Sequence, residues 1–107
     1  MNTYTPDCWV VLEITDSEET TQKVFAGWYG GGFTGSDSWK LNSGIKATRK
    51  LGNWFEFDGY SGSTYRCNTK SYRLTGLMHN VLASWRESFK EYPDVKIRVL
   101  KLDEVTL

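Results

Sequence analysis

The chain of 107 residues sets 13 lysines and arginines against 13 acids, so its formal charge is zero and its isoelectric point lies near 6.6. That is the length of one domain, and a chain without net charge is not expected to bind nucleic acid in general through its field. The hydrophobic share is 39%, but five Trp, six Tyr and five Phe raise the aromatic share to 15%, enough for large rings to fill a core.

Apolar runs are only a few residues long, and Met1 to Asp7 shows neither a basic nor an apolar leader pattern, so export and membrane spanning are not expected. Cys8 and Cys67 read as reduced thiols in a cytosol. Charge is unevenly spread. Met1 to Gln22 holds Asp7, Glu13, Asp16, Glu18 and Glu19 and no base, whereas Ser38 to Phe55 and Gly59 to Arg86 hold bases and no acid.

Cys8 to Thr15 alternates Val10, Leu12 and Ile14 against Trp9, Val11 and Glu13, which predicts a half-buried strand. Asp16-Ser17-Glu18-Glu19 supplies a polar turn, and Gln22 to Tyr29 returns as a second strand of an antiparallel hairpin. Gly30 to Asn42 is too rich in Gly and Ser for regular structure. Ile45 to Lys50 and Trp54 to Asp58 flank Leu51-Gly52-Asn53 as another hairpin, and Ser63 to Asn68 follows as a fifth strand. Leu74, Leu77, Met78, Val81, Leu82, Trp85 and Phe89 form a helical stripe that Thr75 can cap and Pro93 ends at or before Tyr92. Val95 to Leu102 alternates again and reads as a final strand at a sheet edge, where lysines discourage pairing. The order β-β-β-β-β-α-β predicts an α+β fold over residues 1–107. It is expected as one twisted, mainly antiparallel sheet of about five to six strands with a helix on one face.

Two segments, Phe25 to Gly30 and Phe57 to Gly62, share the pattern F-x-G-aromatic-x-G, as a weak repeat or as two strands that end alike. Gly30 to Gly35 satisfies G-x-G-x-x-G after a strand. No helical stripe follows to take a pyrophosphate, so a dinucleotide fold is not expected. What remains is a surface loop, or a glycine-rich flap whose N–H groups around Gly31 form an anion nest with Ser36, Ser38 and Ser43. Beside it Trp28, Tyr29, Trp39 and Tyr60 offer faces for a base or sugar, and Lys40 and Arg66 offer charge for phosphate. Ser61, Ser63 and Arg66 in Ser61-Gly62-Ser63-Thr64-Tyr65-Arg66 suit a carboxylate or phosphate. His79, the only histidine, falls opposite the helical stripe, and neither cysteine has metal-ligand spacing. No nucleophile stands with its base, so no enzyme, cofactor or metal is expected.

Trp9 to Ile14, Lys23 to Gly31, Gly35 to Ile45 and Gly59 to Cys67 resemble small proteins carried by tailed bacteriophages, over roughly the first two-thirds of the chain. The resemblance brings no activity or site residue with it. It implies a setting, the host cytoplasm, where such proteins neutralise host immunity by binding a nucleotide messenger or a host protein. Joined to the residues above, it leads to a non-enzymatic protein that sequesters a small phosphorylated or nucleotide-like ligand. Its ligand would be enclosed by a homo-oligomer joined at Val95 to Leu102. The alternative is an inhibitor of a host defence or metabolic enzyme, with the acidic first hairpin as a nucleic-acid mimic; a role in the virion is a third. On the first reading Trp39→Ala weakens ligand binding and leaves the domain folded.

Overall fold

The computed structural model describes residues 2–30 and 36–105. The fold is α+β, as expected, but it has eight strands in two four-stranded sheets. β1 (Thr3–Tyr4), β7 (Thr64–Asn68), β6 (Trp54–Gly59) and β5 (Ile45–Leu51) lie side by side in one sheet. β4 (Ser38–Leu41), β3 (Thr20–Trp28), β2 (Cys8–Thr15) and β8 (Lys96–Val99) form the other. Among the described strand pairs only β1–β7 is parallel. Helix α1 (Gly76–Ser88) lies against the β4–β3–β2–β8 sheet.

The layers follow from the side chains of β2. Cys8, Val10 and Leu12 face the helix with Phe25, Met78 and Leu82. Trp9 and Val11 face the other sheet with Val24, Ala26, Phe55, Phe57, Tyr65 and Cys67. β2 is therefore buried on both faces over Cys8 to Leu12, not half-buried, because a second sheet covers the face that alternation alone leaves to solvent.

Trp9 is the largest buried side chain. Its ring centre lies 5.9 Å from Phe55, 5.4 Å from Phe57 and 4.7 Å from Tyr72, and its indole N–H donates to the Asn68 carbonyl at 2.7 Å. The Tyr72 hydroxyl accepts from the Val11 N–H at 3.0 Å and donates to the Leu100 carbonyl at 2.6 Å, bridging β2 to the chain after β8.

Both expected hairpins form. Thr15 pairs with Thr20 across the acidic turn, where the Asp16 carboxylate accepts from the Glu18 and Glu19 N–H groups at 2.8 and 2.9 Å. Leu51 pairs with Trp54 across Gly52-Asn53, with Gly52 at φ 64° in the left-handed region that such turns require. Thr75 caps α1, its hydroxyl accepting from the Met78 N–H at 3.1 Å. The helix ends at Ser88, before Pro93 can act. The segment expected to lack regular structure contains β4, whose four residues pair with Phe25 to Trp28. A four-residue strand is too short for periodicity to show, and tertiary pairing decides it. The phenylalanines that open the two F-x-G segments lie in different layers, Phe25 toward the helix and Phe57 between the sheets.

β1 and β5 are opposite edges of one sheet, yet Tyr4 meets Trp28 at one end of β3 while Ile45 shares a groove with Thr21 near the other. β3 thus crosses that sheet from edge to edge, as in a steeply crossed sandwich. Tyr72→Phe should leave the Val11 N–H and the Leu100 carbonyl without their partner and cost about 1–3 kcal/mol, read as a lower denaturant midpoint with unchanged slope.

Candidate binding site

The residues expected to form one site fall in five places. Trp28, Ser38 and Lys40 come together. Ser38 pairs with Trp28 and Lys40 with Ala26, and Ala26 and Trp28 pack toward the β1–β7–β6–β5 sheet, so these side chains share that face. Tyr4 of β1 meets them there. The Lys40 ammonium lies 5.1 Å from the Tyr4 ring centre, and Tyr4 stands edge-on to Trp28 at 6.3 Å. The Trp28 indole N–H donates to the Thr5 carbonyl at 3.1 Å, which fixes the ring at the mouth of a cleft of about 460 Å³. Thr3, Thr5, Ser38 and Trp39 complete its lining, Trp39 from the strand whose other face carries its ring. Sequence reasoning missed Tyr4, because two residues are too short to display a period.

Trp39 points to the other face of β4. It stands edge-on to Phe25 at 5.7 Å and to Trp85 at 5.3 Å and is 38% exposed. Truncating it removes packing between β4 and α1, so lost binding in Trp39→Ala does not by itself mark a ligand site. Tyr29 is exposed on the helix side. Its N–H donates to Asp7 at 2.9 Å, and its hydroxyl accepts from the Cys8 thiol at 3.2 Å.

Ser43, Tyr60, Ser61 and Ser63 gather near the start of β3. The Ser43 hydroxyl accepts from the Ser61 N–H at 2.9 Å, and the Gly59 N–H donates to the Ser63 carbonyl at 2.8 Å. The Tyr60 ring lies against Gly44, whose φ of 128° excludes most other residues. Beneath them Asn42 is 4% exposed; its Oδ1 accepts from the Val24 N–H at 2.9 Å and the Gly44 N–H at 3.2 Å, tying β3 to the crossover between sheets.

Arg66 is on the outer face of the β1–β7–β6–β5 sheet, with its guanidinium 4.2 Å from the Trp54 ring centre and Nε 3.7 Å from Glu56. Arg49 on the same face reaches Glu56 at 3.2 Å and Asp58 at 2.7 Å, and the Thr64 hydroxyl donates to Asp58 at 2.9 Å. These hydrogen bonds, Arg49's first, lower the Asp58 carboxyl from 3.8 to about 2. Arg66 is thus engaged with Glu56 and Trp54, apart from the cleft.

Ser36 is exposed at the end of the glycine-rich segment, and Asp37 accepts from the Gly30 N–H at 2.7 Å, tying the two ends of that segment together. Gly31, and with it the anion nest expected around it, lies outside the described residues.

His79 is exposed, and Cys8 and Cys67 are free and buried, with burial pushing the Cys67 thiol up. Among the described residues no three His, Cys, Asp or Glu stand together as a metal site, and no helix is long and apolar enough to cross a membrane. A larger groove of about 740 Å³ opens beside the β5–β6 turn, with Lys50 and Lys101 among its lining. Its aromatic residue, Phe55, is buried, so it offers charge without a stacking face, whereas the β1–β4 cleft offers both. Comparison with family models, curated proteins and solved structures found no match to this chain.

Because Asp58 has a lowered folded pKa, its contribution to stability is present above the ordinary value of 3.8 and lost as pH falls toward about 2. Asp58→Asn should flatten the acid limb of the stability curve in that window, measured by denaturant unfolding at a series of pH values.

Proposed function

We propose that this chain is a non-enzymatic binding protein that takes a small phosphorylated or nucleotide-like ligand in the cleft between β1 and β4. The observation that carries the reading is Lys40, a cation over the Tyr4 ring and beside Trp28, with no carboxylate partner among the described residues. Trp28 and Tyr4 offer ring contact to a base, the Lys40 ammonium balances phosphate charge, and the hydroxyls of Thr3, Thr5 and Ser38 accept or donate at the rim. A volume of about 460 Å³ is in the range of small-ligand sites. The resemblance to small phage proteins supplies the setting, sequestration of a host signal in the cytoplasm of an infected cell.

Nucleic-acid mimicry by the acidic hairpin has less support. Glu13 is paired with Arg98 at 3.3 Å, Asp7 holds the Tyr29 N–H, and the Asp16 carboxylate is occupied by its own turn. A homo-oligomer joined through β8 also has less support, because Arg86 donates to the Ile97 carbonyl on that edge at 3.0 Å.

Native mass spectrometry after incubation with an extract of infected cells should show one phosphorylated small molecule per site, identified after denaturation. In titrations with that molecule Lys40→Glu should weaken binding by about tenfold or more, while Arg66→Ala leaves it unchanged. An empty protein, or wild-type affinity in Lys40→Glu, overturns the assignment.

A further inference from the structure

The two sheets end in the edge strands β1, β5, β4 and β8, and an edge is a row of open N–H and C=O groups that soluble proteins usually block. Three of these edges are blocked. β1 is two residues long; β5 shifts register between Ile45 and Ala47 and carries Lys46, Arg49 and Lys50. β8 carries Lys96 and Arg98, and Arg86 caps its outward carbonyl at Ile97.

β4 differs from all three. The Asn42 N–H donates to the Val24 carbonyl at 3.0 Å, which sets the phase of the β3–β4 ladder. Ser38 and Lys40 therefore turn their backbone groups toward β3, and Trp39 and Leu41 turn theirs away. No described residue bonds to those outward groups. On the helix side the Trp39 ring, packed on Trp85, stays partly exposed; on the other side stands Lys40, without a carboxylate partner among the described residues.

We propose that the free edge of β4 is a docking site for an extended segment of a partner protein in which an acidic residue is flanked by apolar ones. The segment pairs with the outward groups of Trp39 and Leu41 and adds a strand to the sheet. The period of two then sets its acidic side chain opposite Lys40 and its apolar neighbours over Trp39 and Trp85. Charge selects the partner. A second copy pairing antiparallel about Lys40 would set Lys40 against Lys40, and the chain's own triplets of this kind, Leu12-Glu13-Ile14 and Phe55-Glu56-Phe57, lie inside β2 and β6. The backbone pairing lies on the outer edge of β4 and the cleft opens on its inner side; the two share Lys40, but the pairing to Trp39 and Leu41 stands whether or not that cleft takes a nucleotide.

The test uses two fluorescein-labelled octapeptides, Ser-Val-Glu-Val-Glu-Val-Gly-Ser and its counterpart with Lys in place of Glu, titrated by anisotropy. The Glu peptide should saturate and bind about tenfold or more tighter than the Lys peptide, and should slow amide exchange at Trp39 and Leu41. Leu41→Pro removes one outward N–H, keeps an apolar side chain and breaks no bond to β3; it should weaken the Glu peptide by about tenfold with an unchanged circular dichroism spectrum. Lys40→Glu should reverse the peptide preference. Any nucleotide bound in the cleft should stay bound in Leu41→Pro, which separates the two sites. Absence of saturable binding, equal binding of the two peptides, or wild-type affinity in folded Leu41→Pro would overturn the proposal. So would protection of the Trp39 and Leu41 amides by self-association without peptide, which would give the edge to a second copy.

Discussion

The indole of Trp9 joins the two sheets. It is fully buried, touches rings from β6 and from the segment before α1, and donates its N–H to the end of β7. A large ring in such a place contributes both area and direction, since its polar atom must find one partner when buried. Tyr72 extends the same constraint. Its ring packs on Trp9, its hydroxyl lies between the Val11 N–H and the Leu100 carbonyl, and the neighbouring Arg73 N–H donates to the Trp9 carbonyl at 3.1 Å. The chain entering the helix and the chain leaving β8 are thereby both anchored to β2, and β2 becomes the centre of three layers.

With the middle sheet covered on both faces, its own open groups lie at its edges and ends. The β1–β4 corner is where a cation and two rings meet, because β3 crosses the second sheet and delivers Trp28 to the edge strand that carries Tyr4. The other charged face behaves differently. Arg49, Glu56, Asp58 and Arg66 alternate in sign and pair with one another, so that face is a solvated network in which both arginines are engaged. Lys40, by contrast, lies over the Tyr4 ring and has no carboxylate partner among the described residues.

Much of this was legible in the chain. Alternation located β2, β3 and β8, the Gly-Asn turn located β5 and β6, the 3.6-residue stripe located α1, and Thr75, Gly52 and the acidic turn act as their residue types suggest. The short strands β1 and β4 left no periodic trace, and with them the cleft residue Tyr4 was hidden. The expected site was scattered for a related reason. Trp28, Trp39, Tyr60 and Arg66 share a composition but not a face, and neighbours such as Trp39 and Lys40 point to opposite sides of one strand.

Sequence by itself determined the α+β class, the hairpin turns, the helix with its cap and the burial of both cysteines without a disulfide, all of which rest on interactions between residues close in the chain or on local burial preference. Tertiary structure alone decided that there are two sheets, that β2 is covered on both faces, and which aromatic rings meet a lysine or arginine. Those outcomes depend on pairings such as Tyr4 with Trp28, Trp9 with Asn68 and Val24 with Asn42, whose partners lie far apart in sequence and whose register no local pattern encodes.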